Sequence, residues 1–83
     1  MPEIEVGKVI HFFGKVSVAA VKLSGELAVG DEIKVKTRSG EFTQKVDSMQ
    51  IDKAAVPKAP AGADIGIKVA GHVKEGDTVY KLI

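Results

Sequence analysis

Most apolar runs in this chain alternate for a few residues and then change parity. Ile4 and Val6 share one face, but beyond Gly7 the apolar set becomes residues 9–13. Val16 and Val18 share a face, while Val21 and Leu23 take the other, with the slip at Ala19-Ala20. A third slip falls at Asp47-Ser48. Alternation of period two marks a half-covered strand, and a change of parity inside the run marks a bulge or bend. Strands that bend and change faces suit a small closed barrel, because closure removes exposed edges.

Glycines divide the chain into six such segments. Residues 4–13 and 16–23 flank a turn at Gly14-Lys15, and Ser24-Gly25-Glu26 turns the chain again. Residues 32–37 follow, with Ile33 and Val35 alternating against Lys34 and Lys36, then a hairpin signal at Arg38-Ser39-Gly40-Glu41. Residues 42–51 fit two periods: Phe42, Val46 and Met49 have helical spacing, yet the preceding hairpin and the missing N-cap favour a strand. Residues 52–63 carry two prolines and read as a loop. Ile65, Ile67 and Val69 alternate with Gly66, Lys68 and Ala70, and residues 78–82 close the chain. The expected fold is all-β, a small six-stranded closed β-barrel forming one domain over residues 1–83, with Val9, Val18, Ile33, Val35, Val46, Ile65, Ile67 and Val79 in its core.

The chain writes one phrase twice. "LAVGDEIKV" and "VKEGDTVYKL" both place Gly-Asp one residue before a β-branched residue. Gly supplies a positive φ at low steric cost and Asp bonds its own backbone in turns. Each phrase therefore predicts a tight turn that launches a strand.

The 83 residues allow one modest core. With no Cys, disulfides and thiolate metal sites are excluded. No basic segment precedes an apolar stretch, and the longest apolar runs are too short to cross a membrane. The chain reads as cytoplasmic, without membrane contact. His11 and His72 alone do not make up a zinc ligand set, and no serine has a nucleophile context, so the reading is a non-catalytic protein with no cofactor or metal.

Binding chemistry is richer. Lys34, Lys36, Arg38 and Lys45 surround the Ser39-Gly40 hairpin, and over residues 33–45 only Glu41 opposes them, a local balance of +3. Such a hairpin suits phosphate contacts, although lysines also protect edge strands. His11, Phe13 and Lys15 flank the first hairpin, where an aromatic beside a cation suits a stacked nucleotide.

The order of the motifs adds a family resemblance. Gly14-Lys15-x-x-Val18, Gly25-x-Leu27-x-Val29-Gly30-Asp31-x-Ile33, Val46-x-Ser48-Met49-Gln50-Ile51, Ala61-Gly62-x-Asp64-Ile65-Gly66-Ile67 and Gly76-Asp77-x-Val79 follow one another. The series resembles the β-barrel second domain of translational GTPases such as elongation factor Tu, and small stand-alone elongation-factor-like proteins. The resemblance implies a non-catalytic module contacting RNA, as tRNA or on the ribosome, and it implies that Asp64 faces the aminoacylated tRNA end. The RNA-binding candidates are thus Lys15, Lys34, Lys36, Arg38, Lys45, His11 and Asp64. No G-x-x-x-x-G-K-[ST] occurs, so no guanine nucleotide is expected. The alternative is a protein–protein docking or scaffold barrel with no RNA role.

Overall fold

Three turns of one design organise the molecule, which is described here by a computed structural model covering residues 3–38 and 40–83. Ser39 of the expected hairpin lies outside the described residues. In the turns at residues 28–31, 60–63 and 74–77 the fourth N–H donates to the first carbonyl: Asp31 to Ala28 at 3.1 Å, Ala63 to Pro60 at 3.2 Å, and Asp77 to Lys74 at 3.1 Å. The third residue is Gly30, Gly62 or Gly76, with φ of 95°, 90° and 92°, a conformation that disfavours any residue with a Cβ. Each turn then grips one buried residue of another segment. Gly30, Gly62 and Gly76 donate to the carbonyls of Val46, Leu23 and Val9, each at 2.8 Å, and those residues donate back to Asp31, Ala63 and Asp77.

The repeated Gly-Asp phrase is therefore a clasp, and the structure contains a third copy at Gly62-Ala63 that lacks the Asp. The two Asp side chains cap their own turns: Asp31 Oδ2 accepts from Ala28 N at 2.9 Å, and Asp77 Oδ2 accepts from Lys74 N at 2.7 Å. At the corresponding position of the third turn stands Pro60, which has no N–H to give. Asp77→Ala should accordingly cost about 1–2 kcal/mol. Ala63→Asp should add no stability, because its carboxylate would find no equivalent donor. Urea melts of both variants check this, and a stabilising Ala63→Asp would contradict it.

The turns launch three of ten strands: β1 (Glu3–Phe13), β2 (Val18–Leu23), β3 (Leu27–Ala28), β4 (Glu32–Thr37), β5 (Gly40–Lys45), β6 (Met49–Ile51), β7 (Ala54–Ala55), β8 (Lys58–Ala59), β9 (Asp64–Lys68) and β10 (Thr78–Leu82). Eight form one antiparallel sheet in the order β5-β4-β10-β1-β2-β9-β6-β7, and β3 pairs with β8 separately. No helix occurs among the described residues. The long β1 bends twice, with register shifts between Glu5 and Gly7 against β10 and between Val9 and His11 against β2. The first lies at the expected slip; the second is an extra residue of β1 at Ile10, and the slip expected at Ala19-Ala20 is absent, since β2 alternates regularly and keeps an unbroken register against β9.

The all-β reading holds, but the closed six-stranded barrel does not: the sheet is open. Residues 42–51, expected as one element, are split. Val46 leaves the ladder for the clasp at Gly30 and Asp31, so β5 pairs with β4 and β6 pairs with β9. Where a closing ladder would run, a side chain stands in. Gln44 Nε2 donates to Lys68 O at 2.8 Å, and Ala70 N donates to Gln44 Oε1 at 2.6 Å. The expected loop at residues 52–63 holds β7 and β8, whose two-residue strands are too short to show a period.

The core contains Val9, Ile33, Val35, Val46, Ile65, Ile67 and Val79, together with Val6, Val21, Leu23, Leu27, Met49, Val69 and Val73 among others. Val18 is only half-buried, and its neighbour Ala19 is fully buried instead. The register explains this: Ala19 stands opposite Ile67, inside the sheet, which puts Val18 on the other parity.

Candidate functional site

The loop after β9 is pinned at three points. Val69 and Val73 are buried, and the Phe42 ring lies so close over Gly71 that a Cβ there would fall 2.7 Å from it. Between and after these anchors the short spacing turns His72, Lys74 and Glu75 outward. The β1–β10 ladder ends at Lys8 and Thr78, while β1 runs on to Phe13 beside β2. This overhang forms one wall of a cleft of about 620 Å³, with His11, Phe12 and Gly14 on one side, Arg38 beyond the end of β4, and residues 72–75 and Asp77 from the loop. A narrower recess of about 130 Å³ adjoins it; Arg38, His72, Lys74 and Asp77 line both, and Thr37 lines the recess.

Aromatic contacts stiffen the walls. Phe12 and His72 meet edge-to-face at 4.9 Å, and His11 meets Phe13 at 4.5 Å. The carboxylates are turned to protein partners. Glu75 Oε1 lies 3.4 Å from His11 Nδ1, and the buried Asp77 caps its turn. Arg38 and Lys74 have no ion-pair partner among the described residues. No hydroxyl or thiol side chain lines the main cleft among those residues, and no three His, Asp or Glu side chains among them gather as metal ligands.

Of the candidates named from sequence, this cleft brings together His11 and Arg38. The others lie elsewhere. Lys15 is exposed in the turn between β1 and β2. Asp64 faces Lys22 at 3.7 Å across β9 and β2. Lys45 borders the gap bridged by Gln44. Lys34 is not an exposed hairpin cation. Its ammonium lies 2.8 Å from Glu3 and 3.7 Å from Glu41, with 22% of the side chain exposed. Lys36 lies 3.9 Å from the same Glu3 and 5.0 Å from the centre of the Tyr80 ring. The basic character expected at Lys34 and Lys36 is thus partly compensated by Glu3, 31 positions from Lys34 in sequence, while Arg38 and Lys45 have no ion-pair partner among the described residues. His72 and Lys74 were not candidates. The only signal for them is their position in "AGHVKEGD", directly before a Gly-Asp turn.

The Glu3–Lys34 pair has a pH signature. The hydrogen bond from Lys34 holds the Glu3 carboxyl below its ordinary value, against a smaller opposing effect of burial. The same bond raises Lys34. The Glu3 contribution to stability is present above the unfolded value of about 4.3 and is lost as pH falls through the lower folded value. The Lys34 contribution is present below about 10.4 and is lost as pH rises through its higher folded value. Glu3→Gln should therefore flatten the loss of stability below about pH 4, as seen in urea midpoints across an acid series. An unchanged acid limb would mean that the pair contributes nothing.

No protein-family profile matches the chain. It is 41% identical over 81 residues to an uncharacterized protease of Methanocaldococcus jannaschii, covering 96% of this chain and 20% of that protein. It is 37% identical over 82 residues to a collagenase of Porphyromonas gingivalis, covering 96% of this chain and 20% of the collagenase. The chain thus spans about a fifth of the length of these relatives. Its fold is that of the crystallised C-terminal domain of a Geobacillus thermoleovorans protein assigned to the U32 peptidases, with a TM-score of 0.88 at 17% identity over 94% of this chain and 91% of that one. The selenomethionine form of that domain gives 0.86, covering 90% and 95%. These findings overturn the resemblance to the translational GTPase barrel, and with it the RNA-binding module and the tRNA and ribosome partners. Of the motifs that carried the resemblance, Gly30-Asp31, Gly62 and Gly76-Asp77 are parts of the three clasps described above.

Proposed function

We propose that this chain is a non-catalytic accessory domain that works together with a peptidase catalytic unit, supplying contacts and no bond cleavage. The observation that carries this reading is the similarity along 96% of the chain to one fifth of a protease. The cleft supports it. The described lining of the main cleft offers cations, aromatic rings and two carboxylates, and no hydroxyl or thiol; in the adjoining recess the Thr37 hydroxyl donates to Gly40 O. The collagenases of Porphyromonas gingivalis place the same type of domain in proteins named for collagen breakdown, so gelatin is a suitable test substrate.

Two measurements test this. The purified chain should release no peptides from gelatin or casein. It should also bind, in calorimetry, to the Methanocaldococcus jannaschii protease from which the matching segment has been deleted. Gelatin hydrolysis that persists through repurification and scales with chain concentration would overturn the non-catalytic part. Absence of binding to the truncated protease would overturn the accessory role.

A further inference from the structure

We propose that the cleft between the β1 overhang and Arg38 binds peptide carboxylates, with Arg38 as the anchor and Lys74 as the second cation. Three observations converge on this. First, Arg38 and Lys74 line both the cleft and its adjoining recess, and neither has an ion-pair partner among the described residues. Lys8, Lys15, Lys45, Lys53, Lys58 and Lys68 also lack an ion pair among the described residues, so what marks the site is the convergence of two such cations on one recess. Second, the carboxylates that do line the cleft are engaged. Asp77 is 8% exposed and accepts from Lys74 N, and Glu75 faces His11. The two cations are thus the charged groups of the recess that no carboxylate engages among the described residues. Third, the walls are shaped for more than a free ion. Phe12 and His72 meet edge-to-face beside the cations, and the space of about 620 Å³ admits several residues of an extended chain.

The chemistry selects a carboxylate attached to a peptide. A planar guanidinium pairs with a carboxylate through two parallel hydrogen bonds. The smaller recess takes the anionic group, while the larger cleft and its rings take the residues next to it. The source is either a chain's free C-terminus or an Asp or Glu side chain, and the two share this chemistry. The site stands independently of the accessory role, because it is a property of this chain's own surface.

The test is a titration followed by amide NMR with three N-acetylated hexapeptides: one of uncharged residues with a free C-terminus, the same sequence amidated, and an amidated one with two internal Glu residues. The expected result is a shift of the amides of residues 71–75 with at least one carboxylate-bearing peptide and none with the neutral amidated peptide. The free-terminus and Glu peptides distinguish the two sources. Arg38→Gln should weaken that binding by about tenfold, and Lys74→Gln should weaken it less. Lys53→Gln, in the turn between β6 and β7, should leave it unchanged. The spectrum of each variant without peptide reports whether it is folded, and Lys74→Gln keeps the test open should Arg38→Gln misfold. Equal binding of the neutral amidated peptide, no shift with either carboxylate peptide, or unchanged affinity in both variants would each overturn the proposal. Inorganic phosphate shifting the same amides at lower concentration than the peptides would overturn it too, reducing the cleft to a general anion patch.

Discussion

Gly7→Ala should be among the most damaging single-methyl changes in this protein. Gly7 sits in the middle of β1 between Leu23 of β2 and Val79 of β10, directly after the first bulge. A Cβ there would stand 2.7 Å from Val21 Cγ1 and 2.8 Å from the carbonyl oxygen of Lys22. The Val21 methyl could turn away. The Lys22 oxygen cannot move without shifting the β1–β2 ladder, in which Lys22 pairs with Lys8. Overpacking of this kind costs about 1–3 kcal/mol and sometimes more, and the involvement of backbone places Gly7→Ala at the upper end. For a domain of this size, about 3 kcal/mol lowers the melting temperature by roughly 10–20 °C. Gly14→Ala is the control, since its Cβ would come no closer than 3.8 Å to the Phe12 ring. Thermal melts of the two variants that agreed within a couple of degrees would show that the close approach at Gly7 is not a constraint.

Ile67→Ala should cost roughly 2–5 kcal/mol. Ile67 is 1% exposed, at the centre of β9, with Ala19 opposite on β2 and Met49 opposite on β6. Of its two cross-strand partners, Ala19 has no atoms to move into the vacated space, and only the flexible Met49 can. Removal of one side chain could therefore take a third or more of the stability expected for a small domain, about 5–15 kcal/mol in total. Val18→Ala deletes a side chain that is only half-buried and should cost clearly less. Paired urea titrations decide the matter. A midpoint for Ile67→Ala that matched Val18→Ala would mean that the register of β2 against β9 is not the one described.

The Val18 position shows how far sequence reasoning reaches. Alternation correctly put Ile33 and Val35 on one face and Ile65 and Ile67 on another, because side-chain direction along a strand depends only on residue count. At Val18 the count fails because the slip expected at Ala19-Ala20 does not occur: β2 alternates without interruption, and the small Ala19, not Val18, continues the inward face of Val21 and Leu23. The cations fail for a different reason. Lys34 and Lys36 stand on a strand whose neighbours in sequence leave them exposed, and their partner Glu3 comes from β1, two strands away across β10. Nothing local to residues 33–45 carries that information.

The sequence by itself determined the β class, the turns at Gly30-Asp31 and Gly76-Asp77, and the inward faces of the regular strands. Each of these follows from the sterics of one residue or from a period of two. The tertiary structure alone decided that the sheet stays open, that Gly62 builds a third clasp on Leu23, and that Arg38 meets His72 and Lys74 across a cleft. These outcomes depend on which distant segments pair and in which register. That choice balances the packing of many side chains against the entropy of closing long loops, and no short stretch of the chain contains both sides of that balance.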